Sequence, residues 1–149
     1  MEIQEALKLV DRLQNLADIY DSIEKAVCCT IHSYYDEMYR IEVQEAEIVI
    51  NEGFRSASLG PLKVDKNEVH KKYWSNASSF YQPCSTSSEP EHVWDSLTNI
   101  EVLQNGDDNN SLYLFKADKL CDDGSLGVSV GFLLKLTDNE LFIEHEFFG

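Results

Sequence analysis

Positive charge is scarce in this chain of 149 residues, which has 12 Lys and Arg against 27 Asp and Glu and a formal net charge of -15. A surface with this balance repels phosphate groups, so nucleic acid is not expected among the partners. An acidic surface suits a basic protein, but it is also common in cytoplasmic proteins that have no such partner. The charge therefore argues against nucleic-acid binding and leaves recognition of a basic protein as one hypothesis.

Long apolar runs are also missing, since none approaches the ~20 residues that a membrane-spanning helix needs. The first residues, Met1–Glu5, are acidic and amphipathic, unlike the positively charged start of a secretory signal. The cysteines form neither a C-x-x-C pair nor a regular disulfide framework; they are Cys28, Cys29, Cys84 and Cys121. These absences predict a cytoplasmic protein with reduced thiols, no membrane contact and no metal site.

Motifs of the common cofactor and nucleophile sites are absent: there is no G-x-S-x-G, no P-loop, no G-x-G-x-x-G and no H-E-x-x-H. The acidic pairs at 107–108 and 122–123 lack the ligand spacing of a calcium loop and are predicted to be solvated turns. No cofactor is therefore expected, and an enzyme built on this chain would work with its own side chains.

Glycine and proline are absent before Gly53, and apolar residues recur alternately four and three apart in the first part of this stretch. The spacing predicts a long helix with one apolar face, formed by Leu9, Leu13, Leu16, Tyr20, Ile23 and Val27. Packing of this face on the protein's own sheet is one interpretation, and a helix-mediated homodimer is the other. Beyond Ile41 the period changes, and Ile48–Ile50 predict a short strand that ends at Gly53.

After a Gly-Pro break, Asp65 followed by Glu68 forms a capping-box pattern that predicts the start of another helix. Residues 82–90 are rich in Pro and Ser and predict a loop. From His92 onward the chain predicts four consecutive strands joined by polar turns. Residues 1–149 are therefore predicted as a single α+β domain, with the long helix across a curved antiparallel sheet.

The last two strands show the clearest pattern, because Leu126–Phe148 alternates between apolar and other residues around one polar break at 138–139. Alternation with period two predicts a hairpin with one buried face. On this alternation His145 shares the buried face with Ile143 and Phe147. A neutral imidazole among apolar residues is able to accept a proton, so His145 is a candidate general base. A core histidine satisfied by its neighbours is the alternative.

The stretch His92–Val102, with the Asn-Gly-Asp turn that follows it, resembles a recurrent segment of the SnoaL-like branch of the NTF2-like superfamily. In that segment a histidine-bearing strand runs through N-I-x-V to a G-D turn. Glu45–Ile50 and the helix from Asp65 are similar to the family's first strand and third helix, so the resemblance covers most of the chain in the order of elements. It implies a cone-shaped, cystatin-like fold, in which helices and a bent sheet enclose an apolar pocket open at one end.

Members of this family include dehydratases, isomerases, cyclases and epoxide hydrolases that act on small hydrophobic molecules. Others are non-catalytic modules, such as bacterial toxin-immunity proteins, so the resemblance alone leaves function open. The Tyr and Asp that dehydratase-like members carry on the first long helix correspond here to Val27 and His32. The Trp of the family's last strand corresponds to Leu141-Phe142, and only His92 matches a functional position of the pattern.

The resemblance makes His92 a candidate pocket base. In an extended strand Asp95 lies on the opposite face from His92, whereas a turn or bulge at Trp94 would bring the two together. His32 is a third candidate, because Tyr35 and Asp36, three and four residues later, share its helix face. A carboxylate beside an imidazole is the arrangement of a general base, and an ordinary exposed helix pair is the alternative interpretation.

Two functional hypotheses follow. The first is a cofactor-free lyase or isomerase whose histidine base acts on a small hydrophobic molecule in the apolar pocket. The predicted ligand contacts of that pocket are Trp94, Phe132, Ile143 and Phe147. The second is a non-catalytic module whose acidic surface recognises a basic protein, as an immunity protein would. An enzyme requires a deep pocket in which His92 or His145 meets a second polar group, whereas a binding module is compatible with a filled cone.

Overall fold

The computed structural model describes residues 3–59, 62–75, 90–104, 112–121 and 123–148. Within these ranges three helices precede four strands, with a 3-10 turn at Trp94–Ser96. The helices are α1 (Ile3–Glu52), α2 (Phe54–Leu59) and α3 (Leu62–Tyr73), and the strands are β1 (Leu97–Gln104), β2 (Leu112–Leu120), β3 (Leu126–Thr137) and β4 (Glu140–Phe148). The α+β class predicted from the sequence is confirmed.

The prediction of a long N-terminal helix is confirmed, but α1 is one helix of 50 residues and includes the stretch predicted as a strand. The strand predicted at Ile48–Ile50, and the family strand expected at Glu45–Ile50, are therefore wrong. Helical spacing continues there, because buried residues recur three and four apart from Met38 to Val49. Gly53, with a φ of +91° and its N–H bonded to the Val49 carbonyl at 3.0 Å, ends the helix. No described helix is both long and apolar enough to cross a membrane.

One face of the sheet, called the inner face below, packs against the C-terminal half of α1. Residues that are at most 1% exposed come from both layers: Val27, Ile31, Tyr34 and Met38 on α1, and Phe115, Phe132, Leu134 and Ile143 on the sheet. Ile23 and Val27 of the predicted apolar stripe take part in this core, whereas the side chains of Leu9–Tyr20 lie outside the described part of the chain. Phe132 and Ile143, predicted as ligand contacts, are core residues.

The four strands form an antiparallel meander in the order β1-β2-β3-β4, as predicted. Asp138 and Asn139 connect β3 to β4 with φ values of +51° and +66°. Two positive φ values in a two-residue loop give a turn whose twist matches that of the strands, which confirms the predicted hairpin. The turn predicted at 105–110, and the loop predicted at 82–90 apart from residue 90, lie outside the described residues.

β4 does not keep the alternation of faces that its sequence suggests. Its pairing with β3 skips Glu144, which stands opposite no residue as a β-bulge. One extra residue reverses the parity of the strand, so His145 pairs with Leu133 on the outer face, the face away from α1, and Phe147 follows it there. Glu146 takes the inner face instead. The predicted placement of His145 and Phe147 on the buried face is therefore wrong.

α3 begins three residues before the predicted cap at Asp65. It contacts both α1 and the edge strand β4. Lys66 and Glu45 form an ion pair of 2.6 Å between Nζ and Oε2, with side chains only 3% and 4% exposed. Removing one partner of such a pair would leave a buried charge, so the pair holds α3 in one position on α1. Beyond the helix, Trp74 forms an isolated parallel bridge to Ile143 of β4.

The His70 imidazole on α3 should make the protein less stable in mild acid. Burial lowers the pKa of His70 from 6.5 to about 4. The unfolded chain therefore binds more protons than the folded one between these two values, and the free energy of unfolding falls as pH falls through this window. We expect a loss of about 1 to 2 kcal/mol, since one pKa unit is worth 1.36 kcal/mol and water at the partly exposed ring weakens the effect.

The measurement is urea unfolding of the wild type and of His70→Gln at several pH values between 7 and 4. The difference in unfolding free energy between the two proteins should become steadily smaller as the pH falls from 7 to 4, because the wild type loses stability through His70 whereas Gln does not titrate. A difference that stays constant across the window would contradict the depressed pKa.

Candidate functional site

Several predicted site residues meet at one small cleft, called the His92 cleft below, between α1 and the segment that leads into β1. The cleft has a volume of about 280 Å³ and is lined by His32, Asp36, Tyr39, His92, Val93, Trp94 and Asp95. The structure thus brings together five residues selected from two distant segments of the sequence: His32, Asp36, His92, Trp94 and Asp95. Tyr35 lies behind the cleft, 5% exposed, with its ring centroid 5.1 Å from that of His92 in an edge-on contact.

The 3-10 turn at Trp94–Ser96 places His92 and Asp95 at the same cleft. The turn is closed by Ser96, whose backbone N–H and hydroxyl both donate to the carbonyl of Val93, at 3.1 and 2.6 Å. In an extended segment these side chains would lie on opposite faces. Of the two alternatives left open by the sequence, the turn is therefore the one that forms.

Glu42 holds His92 in place from the buried face of α1. The Oε1 atom of Glu42 accepts the backbone N–H of His92 at 2.9 Å, and the Nδ1 atom of His92 lies 3.1 Å from both carboxylate oxygens. The two residues are 3% and 5% exposed. Charge-assisted hydrogen bonds in such a site are strong, and together they fix both the backbone of the segment and the orientation of the imidazole.

The Glu42 carboxyl group is held in its ionised form by these contacts. Burial would raise its pKa, but the hydrogen bonds and the nearby charge of His92, together with the backbone N–H of Glu91, outweigh burial and lower the pKa below 4.5. Sequence reasoning missed Glu42. The signal available was an acidic residue at a position where the three-and-four spacing of buried residues on α1 continues.

Glu146 is a second carboxyl group that sequence reasoning missed, because the bulge in β4 turns it inward. It pairs across the sheet with Phe132, a core residue. Burial raises the pKa of Glu146; the charge of Glu91 raises it further, and the charges of His92 and Lys119 act in the opposite direction. The charge of His92 therefore acts on two carboxyl groups whose pKa values are shifted in opposite directions, those of Glu42 and Glu146.

His32 stacks on Trp94 at the mouth of the cleft, with ring centroids 4.5 Å apart and planes inclined by 17°. Its Nε2 atom lies 3.4 Å from Oδ2 of Asp36, and both side chains are about half exposed, at 49% and 54%. At this exposure water screens the pair, so it corresponds to the ordinary surface helix pair rather than to a buried, oriented base. His32 and Trp94 form the wall of the cleft that faces solvent.

His145 and Phe147 belong to a different surface. Their rings meet edge-on with centroids 4.5 Å apart on the outer face. Phe147 lines a groove there, together with Leu103 and Leu133. Because the sheet separates the two faces, His145 and the His92 cleft do not share a site.

Among the described residues, no group of three or more His, Cys, Asp and Glu side chains is arranged to hold a metal ion. Comparison of the chain with family models, with curated proteins and with solved structures gives no match. The shape and charge of the cleft are therefore the features that bear on function.

Neutralising Glu42 should destabilise the protein far more than neutralising Asp36. In Glu42→Gln the amide retains one oxygen but cannot satisfy all the donors that point at it, so we expect a loss of about 2 to 4 kcal/mol. Asp36→Asn removes a half-exposed carboxylate beside another histidine of the same cleft and should cost less than about 0.5 kcal/mol. Urea unfolding at pH 7 measures both. Equal losses would show that the buried pair does not hold this part of the structure.

Proposed function

We propose that this protein is a non-catalytic binding module that recognises a basic protein, with a lysine or arginine side chain of the partner entering the His92 cleft. The observation that carries the proposal is the character of the cleft. Asp36 and Asp95 are exposed at its edge, and none of the described residues that line it is a Lys or Arg. A cationic group between two carboxylates forms charge-assisted hydrogen bonds, which are among the stronger polar contacts available to a protein surface.

The packing between α1 and the inner face favours a function at the protein surface rather than in an internal pocket. Tyr34, Met38, Phe115 and Phe132 occupy this interface and are at most 1% exposed. A small hydrophobic molecule held between the helix and the sheet would have to displace them, and deleting or moving large core side chains costs several kcal/mol. The cleft itself is polar and is walled by a His–Trp stack.

The charge of the whole chain supports the same function. A net charge of -15 attracts a basic protein over distances longer than a contact and raises the rate of encounter. Specific recognition then requires a local feature that a uniformly acidic surface lacks. The cleft supplies this feature, since its volume of about 280 Å³ accommodates a single long side chain.

An NTF2-like fold is part of the proposal. The order of helices followed by an antiparallel meander supports it, although other α+β folds share this order. The helical conformation of residues 45–50 departs from the first strand of that family. If the fold is NTF2-like, the non-catalytic members of that family suggest one specific function for this protein: neutralising a basic toxin.

A cofactor-free proton transfer is the second candidate, and the Glu42 contact favours it. With Nδ1 held by a carboxylate, Nε2 is the His92 nitrogen left to act as a base at the cleft. If His92 acts in this way, the protein should accelerate exchange of the α-protons of small hydrophobic ketones into deuterium oxide, and His92→Gln should abolish the acceleration. Proton NMR of ketone mixtures with each protein measures it, and exchange at the buffer rate would exclude this candidate.

The binding function is tested with a peptide that contains a single arginine, acetyl-Gly-Arg-Gly-amide, and with its neutral citrulline counterpart. The arginine peptide should shift the Trp94 indole signal in NMR spectra with a dissociation constant of about 1 mM, and the citrulline peptide should not. The double variant Asp36→Asn/Asp95→Asn should bind the arginine peptide about 10-fold more weakly, because two charge-assisted hydrogen bonds are lost.

A matched control removes the same amount of charge elsewhere. Glu24 and Glu47 are exposed on α1, more than about 15 Å along the helix from Asp36 and so beyond the screening length of physiological salt. Glu24→Gln/Glu47→Gln should change the affinity by less than about 3-fold. Equal weakening by the two double variants would mean that only the net charge matters, which would contradict a site at the cleft.

A further inference from the structure

Contacts between aromatic rings connect the core of the sheet to the mouth of the His92 cleft. Phe115 is fully buried, and its ring centroid lies 6.0 Å from that of Trp94, with the two planes inclined by 34°. His32 stacks on Trp94 in turn, at 4.5 Å and 17°. The side chain of His32 is 49% exposed although one face of its ring covers Trp94. The imidazole therefore presents a flat surface to solvent at the cleft.

The core holds this flat surface in one orientation. Tyr35 is 5% exposed and meets Trp94 edge-on, with ring centroids 6.1 Å apart. The backbone of Trp94 is part of the 3-10 turn that Ser96 closes on Val93. A surface that is ordered before a ligand arrives loses less conformational entropy when the ligand binds. The wall of the cleft is therefore preorganised to receive a flat group.

Three acceptors of hydrogen bonds line the same cleft and come from different segments of the chain. Asp36 on α1 places its carboxylate beside the ring of His32, with Oδ2 3.4 Å from Nε2. Asp95 brings a second carboxylate from the 3-10 turn. His92 supplies the third acceptor, because its Nδ1 atom donates to the Glu42 carboxylate and the neutral ring then has Nε2 as an acceptor. The cleft thus combines a flat ring with several acceptors.

This combination fits a guanidinium group better than an ammonium group. A guanidinium group is planar and weakly hydrated, and its five N–H donors lie in one plane. It is therefore able to stack on a ring and to donate to carboxylates around its edge at the same time. An ammonium group is compact and strongly hydrated, so it gains less from a flat ring beside the same carboxylates.

We propose that the His92 cleft selects arginine over lysine, and that His32 makes the selection because the guanidinium group of the partner stacks on its ring. Selection of this kind rests on the proposed binding function and adds to it the identity of the side chain that the basic partner presents. Asp36 and Asp95 set the affinity for a cation of either shape. His32 sets the preference between two cations of equal charge, so the two roles are separable by experiment.

The lysine peptide acetyl-Gly-Lys-Gly-amide, compared with the arginine peptide, tests the selection. NMR titrations that follow the Trp94 indole signal are made at about pH 8, where histidine is ordinarily neutral. The wild type should bind the arginine peptide about 10-fold more tightly than the lysine peptide. His32→Gln retains a polar group beside Asp36 but loses the ring, so the ratio should fall to about 2-fold or less. His32→Phe restores a ring and should return the ratio to about 5-fold or more.

A matched control makes the same replacement at another histidine. His145 lies on the outer face of the sheet, so His145→Gln should leave the ratio at its wild-type value. The His32 variants should keep the wild-type unfolding midpoint, because the side chain is half exposed. Equal affinity of the wild type for the two peptides, or an arginine preference that persists in His32→Gln, would overturn the selection and leave a cation site at the cleft. If neither peptide binds, the proposed function fails together with the selection.

Discussion

The contact between Glu42 and His92 is the constraint on which the arrangement of this part of the molecule depends. A single carboxylate on the buried face of α1 receives the backbone and the ring of a segment fifty residues further along the chain. An ionised group with so little access to water is stable only while those donors surround it. The segment before β1 therefore has one acceptable position on the helix. The 3-10 turn, the stack of His32 on Trp94 and the start of the sheet follow from that position.

The sheet divides the molecule into two regions with different physical chemistry. Its inner face is filled by aromatic and aliphatic side chains that meet α1, and the carboxyl groups of Glu42 and Glu45 are buried on that helix. Its outer face carries an apolar groove beside the charged side chains of Glu101, Lys116 and Asp118. A polar cleft and an apolar groove therefore lie on opposite sides of the sheet.

Features set by local chemistry were predictable from the sequence, and features set by distant contacts were not. The hairpin at Asp138 and Asn139, the four strands and the first helix follow from turn residues and from hydrophobic period, which neighbouring residues determine. The run Ile48–Ile50 fits a strand and a buried helix equally well, and the contact of α1 with the core decides between them. The pairing of His92 with Glu42 could not be predicted from local patterns, since nothing in the sequence near Glu42 indicates which distant segment will contact it.

The bulge at Glu144 has a consequence for how this strand tolerates change during evolution. The face of the sheet that a side chain occupies depends on how many residues precede it in the strand. The presence of residue 144 therefore matters more than its identity. Substitutions at that position leave the downstream residues on their present sides. Loss of the single residue would exchange them, sending Glu146 to solvent and the two aromatic rings of His145 and Phe147 into the core. The last four residues of β4 should therefore tolerate replacement of residue 144 better than its insertion or deletion. Hairpin ends that are exposed to solvent usually accept insertions and deletions, so this end of the strand is an exception.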